Sequence, residues 1–521
     1  MIAATWCSPV RFPEADAITA SIPTVLAGRL RADPEHVHLI DGEVRLHSDA
    51  LLAAIARQQA RLRAVGVGRG DVVCVQLPNW WEAAVLAHAV WGMGAVLCPV
   101  PVNYRSAELF AILSALEVAA IVAPHTYRGT DHPVMIDAAL ARAAVAVPVI
   151  GIRGGEPVDV LPPGTAELEA DVDDVCVLMF TSGTTGAPKG VLHSHRTLLV
   201  DAWSIVRLFS LDGDRVYMPS PVGHVTGLVY GVVMPLLMAG SCVLQAEWDA
   251  TTGADLIEHH NCTFCVGATP FLRGLVDEYT RRGTSSSLTG FACGGADIPA
   301  ALVHRATTVL DASVTRAYGL TEMPTVTCGG PDDPEEVRFY TDGRLTGSSQ
   351  ARLSEAVDGV GQLEVRGPEL CLGYLDPAHT ATSFTDGWFR TGDLATLSAD
   401  GAVTIVGRAK DIIVRGGENI SVKEVEDYLL DHPAVTDVAV VGIPDDILGE
   451  RACMFVVTTG PRPTLDELSS YLLSHDIAKH KLPEFLLVVD ELPRTPSGKI
   501  QKYVLRDDAV RQLATGSGEQ R

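Results

Sequence analysis

Apolar positions recur along this chain with two periods, and the two alternate. Residues 51–65 space their apolar side chains three and four apart, which predicts an amphipathic helix. The apolar run 71–76 (DVVCVQ) follows and predicts a buried strand. The pair recurs as a helix over 80–91 and a strand over 95–100. Such a βαβ rhythm predicts a parallel sheet covered by helices. It resumes with strands over 175–180, 215–219, 241–244 and 262–266, and helical patterns over 194–209 and 227–238. After about residue 341 the character changes, and short strands broken by Gly, Pro and Asp predict a β-rich subdomain to about 406. Helices over 422–430 and 464–473 flank a strand over 438–441 and predict a compact α+β segment. The expected fold is α/β. A large N-terminal domain (1–409) would hold parallel-rich sheets layered with helices plus the β-rich subdomain (about 341–406). A small, mobile α+β domain (410–521) would follow, with a hinge at Lys410.

Composition narrows the function. At 521 residues the chain exceeds one core, and 47% hydrophobic with 20% charged residues describes an ordinary globular protein. A formal charge of −24 argues against nucleic acid and anionic membranes as partners. An anionic ligand must then be met by local donors. The eleven cysteines are an odd number set mostly in apolar runs, which predicts reduced, buried thiols and a cytoplasmic protein. Cys262 and Cys265 form a lone C-x-x-C with no second pair, so a strand interior is expected there. No cationic region opens the chain as in a secretory signal. The apolar stretch 83–102 is interrupted by His88, Gly92, Gly94, Pro99 and Pro101, which argues against a membrane span.

The most informative chemistry lies in 181–190 (TSGTTGAPKG). Gly183, Gly186 and Gly190 let backbone approach a ligand closely, Thr181, Ser182, Thr184 and Thr185 can donate to phosphate oxygens, and Lys189 adds a cation. With an apolar strand before it, the segment reads as a phosphate cradle. It departs from the Gly-x4-Gly-Lys-Ser/Thr loop, because Lys189 stands between Pro188 and Gly190. Five further segments follow in order. These are 291–296 (FACGGA), 318–322 (YGLTE), 388–393 (WFRTGD), 407–411 (GRAKD) and 493–499 (PRTPSGK). They bring a small-residue turn, an aromatic with a hydroxyl and a carboxylate, a second carboxylate, and a lysine on a shaped loop.

In this order the chain resembles the adenylate-forming superfamily of acyl-CoA synthetases, peptide-synthetase adenylation domains and luciferase over about residues 20–510. It looks most like acyl- and aryl-CoA ligases of the cyclohexanecarboxylate and 4-coumarate kind. The resemblance implies that a carboxylate attacks the α-phosphate of ATP, pyrophosphate leaves, and a thiol then takes the acyl group from acyl-AMP. Thr181, Ser182, Gly183, Thr184, Thr185, Gly186 and Lys189 would hold the β- and γ-phosphates. Gly294, Gly295 and Ala296 would line adenine, with Tyr318 and Gly319 against it. Thr321 would meet the α-phosphate, and Glu322 with Thr185 would bind Mg²⁺. Asp393 would grip the ribose with Arg408 nearby. Lys499 would be the catalytic lysine, Lys410 the hinge, and Arg415, Gly416 and Gly417 a CoA tunnel.

The implied acyl pocket is His224, Val225, Gly227, Leu228, Val266, Gly267, Ala292, Cys293, Met323, Pro324 and Thr325, with His224 resembling an aromatic gate and counted with Lys499, Thr321 and Glu322 as catalytic. No acidic residue stands in 221–227 to hold an amino group, so an amino acid is not expected. Two glycines in the wall suggest room for a ring system, favouring an alicyclic, polycyclic or aryl acid. The expected activity is that of an ATP-dependent acyl-CoA ligase using ATP, Mg²⁺ and CoA. A carrier-protein-loading enzyme and a non-catalytic adenylate-binding regulator are the alternatives, and homodimer formation is left open.

Overall fold

A computed structural model of the chain describes Phe12 and residues 16–153, 165–181, 189–295, 298–408, 412–415, 418–445, 448–475, 477–494, 500–514 and 519–520. Contacts divide the chain into two compact units, 1–350 with 365–389, and 351–364 with 390–521. The β-rich stretch is present as strands Gln350–Val357, Val360–Arg366, Trp388–Leu397 and Val403–Arg408. By contacts, most of it groups with the C-terminal segment.

The first unit holds two large sheets. In one, Val72–Val75 pairs in parallel with Val96–Pro99 and with Ala120–Pro124, and Val149–Ile152 extends the row beyond Ala120–Pro124. Val175–Thr181 joins Val96–Pro99 in parallel, and Lys189–Ser194 closes that edge antiparallel. The other sheet runs parallel from Val37–Asp41 through Ser241–Leu244, Arg215–Met218, Phe264–Gly267 and Gly290–Cys293 to Ser313–Leu320, with antiparallel strands at both edges. Continuous apolar runs bury central strands such as Val72–Val75 and Phe264–Gly267 on both faces. Helix Trp81–Gly92 is buried nearly all round, and its Trp91 indole donates to the Cys176 carbonyl at 3.0 Å. Cys262 and Cys265 are buried free thiols, and Cys265 lies inside strand Phe264–Gly267.

In the second unit, Val435–Asp445 and Gly449–Thr458 pair antiparallel, and Phe485–Val488 adds in parallel. Helix Val422–Leu430 is capped by Ser421, whose hydroxyl accepts from the Glu424 N–H. It buries Val425 and Leu429 with Val440, Met454 and Leu468. Among the described residues no helix is long and apolar enough to cross a membrane.

Candidate functional site

The strands that flank the predicted phosphate cradle, Val175–Thr181 and Lys189–Ser194, pair antiparallel. The chain returns from the cradle as strand Lys189–Ser194, which the sequence pattern did not predict, with Lys189 opposite Thr181. Val191 and Leu192 are buried in the return strand. The helix expected over 194–209 then forms as His195–Leu208, and Ser194 forms a capping box with Thr197. Lys189 is thus the first residue of a strand, held in register by backbone pairing. Ser182, Gly183, Thr184, Thr185 and Gly186 lie outside the described residues.

The segment 372–375 runs beside this strand. Leu372 N–H donates to the Leu192 carbonyl at 2.7 Å, Leu192 N–H to that of Gly373 at 3.0 Å, and Leu375 N–H to that of Gly190 at 2.7 Å. That pairing brings Tyr374 under Lys189, whose Nζ stands 5.0 Å from the ring centroid. The Tyr374 hydroxyl donates to Glu322 Oε1 at 2.6 Å. Burial and the Glu322 carboxylate both raise the phenol above its ordinary range, so it stays a donor.

Glu322 sits at the tip of a hairpin. Strands Ser313–Leu320 and Met323–Cys328 pair antiparallel with Leu320 opposite Met323, leaving Thr321 and Glu322 as the turn. The tip is held from two sides. Cys371 N–H donates to the Glu322 carbonyl at 2.8 Å, and His193 Nε2 lies 2.7 Å from the Thr321 carbonyl. A carbonyl only accepts, so Nε2 carries the proton. Burial lowers the His193 pKa to about 4, which keeps the ring neutral in this role. Gly319 is required by close approach, because a Cβ there would stand 1.9 Å from the Pro324 carbonyl oxygen. A Cβ on Gly294 would stand 3.0 Å from the Ala317 carbonyl oxygen, so this glycine lets its turn lie close to the strand bearing Tyr318. Gly295 adopts a positive φ of 83°. Ala296 lies outside the described residues.

The segment expected to gate the acyl group begins at His224, whose Nδ1 accepts from Thr226 N–H at 3.3 Å and caps Val225–Leu228. The helical path then continues through a π-turn, Val229–Val233, into Met234–Leu237. Val225, Leu228, Val266, Ala292, Cys293, Met323 and Thr325 are buried, and Pro324 is half-buried. The two glycines do not leave the room expected of them. A Cβ on Gly227 would stand 2.2 Å from the Pro221 carbonyl oxygen, and one on Gly267 3.3 Å from Phe271 and 3.4 Å from Phe291. Their missing side chains are matched by protein atoms.

In the second unit, Asp393 and Arg408 face each other across an antiparallel pair, and Arg408 Nε donates to Asp393 Oδ1 at 2.8 Å. Arg415 pairs with the Glu484 carboxylate, whose other oxygen accepts from Ala452 N–H at 2.8 Å. The guanidinium is therefore tied into its own unit, where it braces the strand leading to Gly416 and Gly417. Those glycines, Lys410 and Lys499 lie outside the described residues.

The model of the AMP-binding enzyme family matches residues 26–375, and that of the AMP-binding enzyme C-terminal domain matches 424–499. This chain belongs to that family, and with it to the adenylate-forming superfamily. It is 33% identical to the medium-chain fatty-acid–CoA ligase of Escherichia coli over 93% of this chain and 89% of that protein. It is 33% identical to the 3-[(3aS,4S,7aS)-7a-methyl-1,5-dioxo-octahydro-1H-inden-4-yl]propanoyl:CoA ligase of Rhodococcus jostii, over 93% and 98%. Among solved structures, ATP-bound MatB from Rhodopseudomonas palustris superposes with a TM-score of 0.83 at 27% identity, covering 94% of this chain and 99% of that one.

In this AMP-binding enzyme the structure gathers Lys189, Glu322 and Thr321 and adds two residues that sequence reasoning missed, Tyr374 and His193. The signal for Tyr374 was weak, since it stands in an irregular stretch whose partner strand was not predicted. His193 stands in no motif that would single it out in the sequence. Tyr374→Phe keeps the ring beneath Lys189 and removes the hydrogen bond to Glu322. Hydrogen bonds to charged groups contribute about 1.5–3 kcal/mol. We expect a roughly tenfold fall in kcat/KM for ATP, equivalent to ~1.4 kcal/mol, measured by acid-dependent pyrophosphate exchange at varied ATP.

Behind the Glu322 hairpin lies a buried pair of acids. Asp201 Oδ1 accepts from Thr325 N–H at 2.7 Å and Oδ2 from the Tyr230 hydroxyl at 2.8 Å. Burial raises its pKa to about 7. Glu369 accepts from Ser204 at 3.1 Å and Ser349 at 2.9 Å, and is raised to about 8 by burial and then by Asp201. Because the folded pKa of Asp201 exceeds its ordinary 3.8, the folded state holds a proton that the unfolded chain releases. Its contribution to stability is lost as pH rises from about 4 through about 7. Asp201→Asn removes this dependence. The thermal midpoint of the variant should therefore gain on the wild type between about pH 4 and 7 and level off above, as read by differential scanning calorimetry; a constant difference would contradict the assignment.

Proposed function

We propose that this chain is an AMP-forming acyl-CoA ligase that converts a bulky alicyclic, polycyclic or aryl carboxylic acid to its CoA thioester. The carboxylate oxygen bonds to the α-phosphorus of ATP as pyrophosphate leaves. The thiol sulfur then bonds to the acyl carbon as AMP leaves. The observation that carries the reading is the convergence of strand Lys189–Ser194, the 372–375 segment and the Thr321–Glu322 turn, which sets Lys189 on the ring of Tyr374 and the Tyr374 hydroxyl on Glu322. A cation and a carboxylate held a phenol apart suit a triphosphate and its counter-ion. Phosphoryl chemistry of this type depends on positioning and charge more than on a nucleophilic side chain.

Magnesium fits this donor set. Among the described residues no cluster of three or more His, Cys, Asp or Glu could hold a metal by itself. Mg²⁺ commonly takes one or two carboxylates and completes its shell with substrate phosphates and water. Glu322 supplies such a carboxylate, with Thr185 as the expected hydroxyl. When bound, the ion would neutralise phosphate charge. Asp393 would accept from the ribose hydroxyls, Lys499 would bridge the acid and the α-phosphate, and Lys410 would act as the hinge between the two half-reactions.

The apolar, buried positions around Leu228, Val266, Ala292 and Met323 support a carboxylate whose acyl group is hydrophobic and carries no further charge. The bicyclic acid named for the Rhodococcus jostii relative supports a ring, and the medium-chain fatty acid named for the Escherichia coli relative is the linear competitor. The test is ATP–pyrophosphate exchange across a panel of ring and linear carboxylic acids, repeated with CoA and thioester detection. Ring acids should lead, and CoA should yield the thioester. A strong response to linear chains with none to ring acids overturns the substrate reading; acyl-AMP formation with no CoA thioester overturns the acceptor.

A further inference from the structure

Helix His195–Leu208 presents Asp201 to two different segments at once. Its carboxylate holds the Thr325 backbone at 2.7 Å and the Tyr230 hydroxyl at 2.8 Å, and the Tyr230 hydroxyl also meets the Thr325 hydroxyl. Asp201 is fully buried and Tyr230 nearly so. Tyr230 lies in the π-turn just beyond Val225–Leu228, and Thr325 lies three residues beyond Glu322 on strand Met323–Cys328. These are two segments from which the acyl pocket is expected to be built. Each Asp201 oxygen already accepts a hydrogen bond, so the carboxylate is committed to the protein and is not held ready for a substrate amine.

We propose that Asp201 is a positioning residue for the carboxylic acid substrate, a buried clamp that fixes the spacing between the 224–230 segment and the 323–325 strand. The proposal rests on the ligase reading of the site. The physical reason is that one rigid carboxylate bonds a side chain on one wall and a main-chain N–H on the other. Neither wall can shift alone without leaving a buried donor unpaired. Ser204, one helical turn on, bonds Glu369 and anchors the same helix face. Asparagine can replace the clamp, because its carbonyl oxygen accepts from Thr325 N–H and its amide donates to the Tyr230 oxygen.

The test is steady-state pyrophosphate exchange with the best acid of the panel, using full-length wild type, Asp201→Ala, Asp201→Asn and Tyr230→Phe. Asp201→Ala is expected to raise the KM for the acid about tenfold and the KM for ATP less than about threefold. Asp201→Asn should restore most of the acid KM, and Tyr230→Phe, which keeps the ring but removes the hydroxyl's bonds to both Asp201 and Thr325, should raise the acid KM at least as much as Asp201→Ala. Equal changes in the acid and ATP constants, or an acid KM unchanged in Asp201→Ala, overturn the clamp. Should Asp201→Ala fail to fold, Tyr230→Phe decides alone, and an unaltered acid KM there overturns it. If the wild type shows no acid-dependent exchange with any acid, the ligase reading itself fails; exchange in the wild type with parallel shifts in the variants removes the clamp only.

Discussion

Lys499→Ala is expected to lower acid-dependent ATP–pyrophosphate exchange by roughly 10²–10³, while thioester formation from supplied acyl-AMP continues near the wild-type rate. In the adenylation step, negative charge concentrates between the incoming carboxylate and the α-phosphate. A cation held there stabilises the transition state more than the ground state, and loss of one such donor typically costs ~3–4 kcal/mol. In the thioester step the leaving group is AMP and the bridge is no longer needed. Both half-reactions are measured on one preparation, the first by isotope exchange and the second by thioester release from synthetic acyl-AMP. Full exchange in the variant would remove Lys499 from the role. Equal loss of both steps would point to general damage to the C-terminal unit.

Gly319→Ala should have the second large effect, and the reason is steric. The added methyl would point at the Pro324 carbonyl oxygen from 1.9 Å, with the carbonyl carbon at 2.6 Å. Both are backbone, so no side chain can swing aside. The register between Ser313–Leu320 and Met323–Cys328, irregular between Tyr318 and Leu320, must open instead. That displaces Tyr318 and the Thr321–Glu322 turn together. Overpacking of this kind costs ~1–3 kcal/mol of stability, and ATP-dependent exchange should fall by more than the stability loss explains. Gly28→Ala is the control, since nothing lies within 4 Å of its Cβ and it sits inside helix Ile22–Ala32. It should leave activity unchanged and raise the midpoint slightly, because alanine favours helix over glycine by about 1 kcal/mol. A Gly319→Ala enzyme with normal midpoint and normal ATP KM would refute the packing argument.

Much of the architecture was legible because burial writes itself into apolar periodicity. The helix expected over 422–430 forms as Val422–Leu430, and the strand over 241–244 as Ser241–Leu244. The 80–91 helix forms as Trp81–Gly92. The strand Lys189–Ser194 was missed, because a short run ending in His193 and Ser194 carries no period and a strong helix signal follows at once. The edge hairpin Val37–Asp41 with Val44–His47 was missed for a similar reason, since only Leu46 of its second strand is buried. The glycines of the expected acyl pocket were misread, because a sequence cannot say which neighbour occupies the space a missing side chain leaves.

What the sequence determined by itself was the family chemistry. The order of 181–190, 318–322, 388–393 and 493–499 carries the resemblance to adenylate-forming enzymes, and the family models match 26–375 and 424–499. What only the tertiary structure decided was which residues share a site. Tyr374 reaches Glu322 through backbone pairing of 372–375 with the return strand, and Asp201 reaches Thr325 across 124 positions of chain. Contacts of that separation depend on sheet order and strand register. Those are set by the cooperative burial of whole elements, which no local pattern of residues records.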